Sequence, residues 1–381
     1  MESLAYIKRW ILDGLVDSNR EVRAAAGSVI ALIIFFHPLS TWPEFVERLI
    51  QLLDSNNPDH VHGALSTLSK IAEDSGHRLA NSEAEINGQR PLAFFVPRVI
   101  HLFDAVEVKV RIDAIKTMNF LLWALDENQS HPPEILQSLG QFSDALFRRA
   151  ATDDHAEVQR SVCQIMASLL DNAPETLMPQ LDAVMEYMLQ RIADEDEAIA
   201  LEACEFWMLL SEMDDMREPL AVQLPKLIPL LMSRLVYGEM ELMMLDDDDD
   251  DTTVPDREQD IKPWQKKNKD QEDSGEFDDE EDDDDDDDDE LYGDWSLRKC
   301  AAATLDTLAA SFGPAIAPMI LPLITQQLQS EDWMLRESGI LALGAIAEGC
   351  QQGVESSLPI LIPYLIQNLQ YPKAGIFYFM L

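Results

Sequence analysis

One pattern recurs along almost the whole chain and restricts the folds that it can adopt. A proline precedes a ladder of apolar residues spaced at three and four, a short polar or acidic turn follows, and a second apolar ladder comes after the turn. Each ladder predicts an amphipathic helix. Proline is tolerated in the first turn of a helix because its missing N–H has no intrahelical partner there. The first helices are therefore predicted to begin at Pro43, Pro97, Pro179, Pro225, Pro318 and Pro359.

The spacing of these prolines indicates the kind of repeat. Pro179 and Pro225 are 46 positions apart, and Pro318 and Pro359 are 41 positions apart. Helix-pair repeats of the HEAT kind have periods of about 40 to 47 residues. Because a helix pair cannot bury its own apolar faces, neighbouring pairs stack into one core with a long concave binding surface. The sequence predicts an all-α fold, an α-solenoid with a right-handed superhelix of about eight HEAT-like repeats.

The negative charge is concentrated in one segment. The formal charge of the chain is −43, and residues 246–290 hold 26 acidic and 5 basic residues, a net of −21, which leaves −22 elsewhere. Like charges at this density oppose collapse, so the segment is predicted to be a disordered loop. Its acidic runs are marked by Asp246, Asp251, Asp282, Asp289 and Glu290.

This segment also defines the predicted domain boundaries. The first helix of the interrupted repeat is expected to end near residues 242–245, and the second to begin at Asp294. The predicted division is an N-terminal HEAT-repeat array over 1–245, the acidic loop over 246–293, further HEAT repeats over 294–370 and an atypical tail over 371–381.

The charge and the missing motifs exclude several functions. A strongly acidic chain repels nucleic-acid phosphates and attracts basic proteins, so direct nucleic-acid binding is not expected. There is no nucleotide-binding glycine motif, HExxH or EF-hand spacing, which predicts neither an enzyme nor a cofactor or metal site. The apolar runs are shorter than the ~20 residues that span a bilayer, and no secretory signal begins the chain. A cytosolic or nuclear monomer without membrane insertion is expected, with buried thiols at Cys163, Cys204, Cys300 and Cys350.

Two recurring residue types near the starts of the second helices leave alternatives open. Five arginines recur there: Arg23, Arg111, Arg160, Arg298 and Arg336. We expect them to bond acidic turn residues of the neighbouring repeat, with direct contact to a partner as the alternative. Trp295 and Trp333 also open second helices, and packing is favoured for them over contact with a ligand on the inner face.

Several longer motifs resemble one known family. They are EYMLQRIADEDEAIALEACEFW from residue 186, LPKLIPLLMSRLVY from 224, TVPDREQDIKP from 253, DWSLRKCAAATLDTLA from 294 and RESGILALGAIAEGC from 336. Their order and spacing, including the acidic segment, resemble the transportin type of nuclear import receptor in the karyopherin-β (importin-β) family. The resemblance runs from about Tyr6 to Leu369. Relative to that family the chain looks truncated at both ends, and its last residues, YPKAGIFYFML, depart from the family pattern.

The resemblance implies a function, partners and a location. Import receptors of this family load cargo in the cytoplasm, contact phenylalanine-glycine nucleoporins in the nuclear pore and release cargo when GTP-bound Ran binds in the nucleus. The transportin type recognises basic signals that end in Pro-Tyr. Ran contacts the N-terminal repeats and the acidic loop, which then competes for the cargo groove.

The resemblance also assigns residues. Ala303, Asp306 and Leu341 fall where the family receives the Pro-Tyr end of the signal, and Trp295 and Trp333 are further candidates for cargo-signal binding. From the residues alone, Ala303 and Leu341 would be read as helix packing. Two other functions stay open: a HEAT-repeat scaffold that assembles enzymes, and an acidic chaperone for basic proteins.

Overall fold

The computed structural model describes residues 2–81, 85, 88–126, 128, 130–238, 241–242 and 295–368. Contacts divide the chain into two compact units, Met1–Tyr187 and Met188–Leu381. In the described residues both are built from α-helices. The acidic segment and the C-terminal tail proposed from the sequence lie outside the described residues, as do the domain boundaries drawn at them.

The first unit is a stack of four helix pairs. Its helices are α1 (Glu2–Gly14), α2 (Arg20–Phe36), α3 (Pro43–Leu53), α4 (Pro58–Ala80), α5 (Leu92–Leu102), α6 (Val108–Leu122), α7 (Pro133–Thr152) and α8 (Ala156–Asn172). The second helices pack in the order α2, α4, α6 and α8, and the first helices pack in the order α3, α5 and α7. This two-layer stacking is what repeating helix pairs require to bury their apolar faces. The next helix, α9 (Leu181–Arg191), spans the boundary between the units.

The second unit follows the same plan. It contains α10 (Glu197–Glu212), α11 (Arg217–Arg234), α12 (Leu297–Phe312), α13 (Ala317–Leu328), α14 (Trp333–Ala347), α15 (Gln351–Val354) and α16 (Leu358–Asn368). Here α10, α12 and α14 pack in succession as second helices, and α11 packs against α13. The predicted all-α array of stacked helix pairs is confirmed.

Several second helices begin at a residue whose side chain caps the helix. Asn19, Asn57, Asp196 and Asp332 each accept a hydrogen bond from a backbone N–H of the first helical turn. Such a bond satisfies an N–H that has no partner within the helix. Capping therefore helps to fix where these helices start.

Two of the predicted helix starts at proline are wrong. Pro97 lies inside α5, which begins at Leu92, and Pro225 lies inside α11, which begins at Arg217. An internal proline removes one backbone hydrogen bond. The helices continue through it because the preceding residues carry the same apolar spacing; in α11, for example, Leu220 and Leu224 are both buried.

The helices that flank the acidic segment are also shorter than predicted. The first one, α11, ends at Arg234 rather than near residues 242–245. The second one, α12, begins at Leu297 rather than at Asp294, because the Ser296 hydroxyl caps it by accepting from the backbone N–H of Lys299. The similar motif at 332–336 behaves differently, because there Asp332 is the cap and α14 begins at Trp333.

The core consists of aliphatic and aromatic side chains, with Trp207 completely buried. The four cysteines are buried thiols, as predicted. None of the helices in the described part of the chain is long and apolar enough to cross a bilayer. Within the same residues, no cluster of three or more His, Cys, Asp or Glu side chains could hold a metal ion.

Candidate functional site

Four of the five candidate signal-binding residues lie on neighbouring helices of the second unit, and three of these four lie in the middle of their helices. Ala303 and Asp306 are in the middle of α12, and Leu341 is in the middle of α14. The two helices pack directly against each other. We call the surface formed by Ala303, Asp306, Leu341, Gly344 and Glu348 the α12–α14 face.

Two contacts hold α12 against α14, one toward each end. Near the N-terminal ends, the guanidinium of Arg298 forms an ion pair with the carboxylate of Glu337, and both side chains are buried. Just beyond the C-terminal end of α14, a Cβ on Gly349 would lie 2.2 Å from the carbonyl carbon of Ala309. Only a glycine fits at such a distance, so the backbones meet there. The α12–α14 face lies between these two contacts.

The side chains of this face are small or acidic. Ala303 and Leu341 are partly exposed, and Gly344 is exposed with open space where a Cβ would stand. Small residues let the backbone of a ligand approach closely. Asp306 and Glu348 are exposed carboxylates. Partial burial, with the negative charge of Glu348, raises the pKa of Asp306. A face of this kind suits an extended chain that carries a positive charge.

The structure does not bring the two candidate tryptophans into this face. Trp295 and Trp333 precede Ala303 and Leu341 by eight residues each, which corresponds to about 12 Å along a helix. The indole N–H of Trp295 donates to Glu205 Oε1 at 2.9 Å, and the Trp333 ring lies 5.9 Å from the ring of Tyr237. Both are partly exposed. They border the helix starts rather than the middle of the helices.

A buried cluster surrounds Arg298. Its Nε donates to the carbonyl oxygen of Leu235 at 2.9 Å, and its guanidinium carbon lies 4.0 Å from the centre of the Tyr237 ring. Burial is the largest of the effects that raise the pKa of Tyr237 to about 12. Burial also raises the pKa of Glu337, although the positive charge of Arg298 acts in the opposite direction. Sequence reasoning identified Arg298 but missed Tyr237 and Glu337, because neither belongs to a recurring position.

The predicted arginine ladder is confirmed at several rungs. Arg23 pairs with Asp59 at 3.0 Å, and Arg111 pairs with Asp153 at 2.7 Å, in both cases reaching the following helix pair. Each arginine also donates to two carbonyls of its own turn. Arg336 donates to such carbonyls as well, those of Ser330 and Glu331.

At one rung the position equivalent to Arg111 is held by a residue other than the predicted Arg160. Arg160 is exposed, and Gln159 occupies the ladder position, donating from its side chain to the carbonyl of Asp153 at 3.0 Å. Gln159 lies four residues after its cap residue His155, as Arg111 lies four residues after Glu107. Counting from the cap residue rather than searching for arginine would have found it. The loop residues Asp246, Asp251, Asp282, Asp289 and Glu290 lie outside the described residues.

Comparisons with known proteins agree with this fold. The family model of the HEAT repeat matches residues 320–350. Importin subunit beta-2 of Schizosaccharomyces pombe is 38% identical over 391 residues, which cover 98% of this chain and 42% of that protein. Transportin-1 of Mus musculus is 40% identical over 375 residues, which cover 97% of this chain and 40% of that protein. The chain belongs to the transportin group of the importin-β family.

A solved structure supports the fold of this transportin-group chain independently of close sequence similarity. The crystal structure of the karyopherin Kap121p bound to RanGTP superimposes with a TM-score of 0.61 at 20% identity, covering 100% of this chain and 32% of that one. The predicted HEAT-like α-solenoid is thus confirmed. The chain spans about 40% of the length of the curated relatives it matches.

Proposed function

We propose that this chain is the part of a nuclear import receptor that binds basic nuclear localisation signals under control of GTP-bound Ran. The observation that carries this proposal is the α12–α14 face, where small side chains and exposed carboxylates lie together on two neighbouring second helices. The similar proteins carry the names importin subunit beta-2 and transportin-1, and these names support the same function.

The chemistry of the face suggests how a signal would bind. The open space at Gly344 and the small side chain of Ala303 admit an extended backbone. Leu341 offers an apolar contact for the proline or the tyrosine ring of a Pro-Tyr end. Asp306 would accept a hydrogen bond from the tyrosine hydroxyl or pair with an arginine. Trp295 and Trp333 would border a longer signal at the helix starts.

Release would depend on a second partner. Kap121p, which shares the fold, has been crystallised with RanGTP, and we propose GTP-bound Ran as a partner of this chain too. The acidic segment, with runs marked by Asp246, Asp251, Asp282, Asp289 and Glu290, would compete with a basic signal because it is tethered nearby. The chain would shuttle between cytoplasm and nucleus and contact phenylalanine-glycine nucleoporins in the pore.

The charge of the chain favours a second candidate function. With a formal charge of −43, the chain could act as an acidic chaperone that binds basic proteins through charge alone. Such binding would not require the α12–α14 face, and it would weaken strongly in salt, because exposed charges are screened beyond about 8 Å at physiological ionic strength. A scaffold for enzymes would bind neither basic signals nor Ran.

Binding of a labelled basic peptide that ends in Pro-Tyr tests the proposal. Fluorescence anisotropy would compare the wild-type chain with Asp306→Lys and with a matched control, Glu47→Lys. Glu47 is an exposed carboxylate on α3 in the first unit, so both variants change the net charge equally. A peptide of the same charge without Pro-Tyr would separate a specific site from general attraction.

An import receptor predicts that Asp306→Lys weakens peptide binding about tenfold or more while Glu47→Lys has little effect. It also predicts a preference for the Pro-Tyr peptide. Equal weakening by both variants, with no preference between the peptides, would support the acidic chaperone. No binding of either peptide at low salt would contradict both.

A further inference from the structure

We propose that Tyr237, Arg298 and Glu337 are positioning residues for the α12–α14 face: their buried contacts fix the distance between the two helices and thereby the affinity of the face for a basic peptide. The inference about affinity rests on the proposed function. The inference about the distance between the helices does not.

The cluster lies near the N-terminal ends of both α12 and α14. Glu337 lies one helical turn before Leu341 on α14, and residues four apart share a face of a helix. On α12, Arg298 lies two residues after the cap and about one turn before Ala302 and Ala303. The ion pair therefore lies about one helical turn from the face, toward the N-terminal ends of both helices. A change in the cluster would alter the distance between Leu341 and Ala303 more than the distance at the opposite end, where Gly349 meets Ala309.

Both charges of the ion pair are buried. Arg298 is 7% exposed and Glu337 is fully buried. A buried charge that loses its partner is left uncompensated at high cost, so the pair does not separate readily. Arg298 is further held by the Leu235 carbonyl and by the Tyr237 ring. Three helices, α11, α12 and α14, are fixed relative to one another at this one point.

The connection between α11 and α12 is much longer than the turns inside the other helix pairs. In the other helix pairs a turn of a few residues joins the two helices; here 62 residues, 235–296, lie between Arg234 and Leu297. Because chain length alone limits how far apart the ends of a segment can lie, a connection of this length restricts the spacing of its two helices less than a short turn does. The side-chain cluster takes over the role that a short turn has elsewhere.

A matched pair of double variants tests the inference. Arg298→Met with Glu337→Leu replaces the ion pair by apolar side chains of similar size and leaves no buried charge. Arg111→Met with Asp153→Leu is the control, because it removes a comparable arginine–carboxylate rung from the first unit. Arg149, which also pairs with Asp153, keeps Asp104 as a partner. Circular dichroism establishes that both variants fold. Their affinities for the labelled Pro-Tyr peptide are then compared with that of the wild type.

A second readout reports geometry without any ligand. Nitroxide labels at Thr307→Cys on α12 and Ala345→Cys on α14, both partly exposed positions, allow the distance between the helices to be measured by electron paramagnetic resonance. The four native cysteines are buried, so the labels go to the introduced thiols.

We expect the Arg298/Glu337 variant to broaden the distance distribution and to weaken peptide binding on the order of tenfold. The Arg111/Asp153 control should change neither. Unchanged distances and affinity in the Arg298/Glu337 variant would overturn the inference, as would equal losses of affinity in both variants. If the wild type binds no peptide, the proposed function fails, and the distance distribution alone then supports or overturns the positioning role.

Discussion

Arg111 in the first unit and Arg298 in the second unit both lie near the start of a second helix, but they connect it to different neighbours. Arg111 closes a short turn by donating to the carbonyls of Ala105 and Val106, and it pairs with Asp153 of the next helix pair. Arg298 binds the Leu235 carbonyl at the end of the preceding helix and pairs with Glu337 of the next helix pair. The turn that Arg111 closes is replaced, at Arg298, by the connection that contains the acidic segment.

This difference shows how a repeat can accept a long insertion. The pattern of bonds, from an arginine to the end of one helix and to a carboxylate of the next pair, is kept although the chain between the helices is much longer. What changes is the support: Arg298 gains the Tyr237 ring and a fully buried carboxylate. The insertion is tolerated because side chains, rather than a turn, hold the two helices together.

The largest expected effect is the loss of the Glu337 carboxylate. Glu337→Ala would leave Arg298 buried and unpaired, which costs about 3 to 5 kcal/mol. Asp59→Ala is the matched change at the Arg23 rung, and it should cost about 1 kcal/mol or less because Asp59 is 67% exposed. Hydrogen exchange of amides in α12 and α14, compared with those in α2 and α4, measures both effects. Similar losses at the two rungs would remove the distinction between them.

The next effect is a dependence on alkaline pH. Because the pKa of Tyr237 is raised to about 12, its proton is held more tightly in the folded state than in the unfolded chain. The stability from this group is fully present below about pH 10 and is lost between about pH 10 and 12, and the shift corresponds to about 2 to 3 kcal/mol. Tyr237→Phe should flatten the fall of unfolding free energy over this window. Urea titrations across this pH window measure the unfolding free energy. An equally steep fall of that free energy with pH in the variant and in the wild type would contradict the buried setting of Tyr237.

A smaller effect concerns the second contact between α12 and α14. Gly349→Ala places a methyl group against the Ala309 backbone and should destabilise the second unit by about 1 to 3 kcal/mol. Gly344→Ala is the matched change at an open position inside a helix, and it should stabilise by about 0.5 to 1 kcal/mol. Thermal unfolding of both variants measures the difference. Destabilisation by Gly344→Ala as large as that by Gly349→Ala would show that the helices are closer at the face than described.

The smallest effect compares the helix caps after a short turn and after the long segment. The Asn19 cap of α2 accepts from Glu21 N at 2.9 Å, whereas the Ser296 cap of α12 accepts from Lys299 N at 3.4 Å. Replacing a good cap by alanine costs about 1 kcal/mol. Asn19→Ala should therefore cost more than Ser296→Ala in thermal unfolding; the reverse order would mean that α12 depends on its cap rather than on Arg298.

The periodic features of the molecule could be predicted from the sequence. Apolar spacing, prolines and polar turns predicted the helix pairs, and the recurring arginines predicted a ladder, since these signals repeat and are local. The ends of α11 and α12 could not be predicted, because Ser296 competes with Asp294 as a cap and nothing local decides between them. Tyr237 and Glu337 could not be found either, since their contacts with Arg298 join positions 61 and 39 residues apart. The place of Asp306 came from the family resemblance, and its role in binding stays a prediction.

The most direct test of the account is whether the nucleotide on Ran controls peptide binding. The labelled Pro-Tyr peptide would be bound to the chain and titrated with Ran loaded with GTP or with GDP, with anisotropy as the readout. The account predicts that the GTP form displaces the peptide at lower concentration than the GDP form. Equal displacement by the two forms, or none by either, would contradict the proposal that this chain binds cargo signals under the control of Ran.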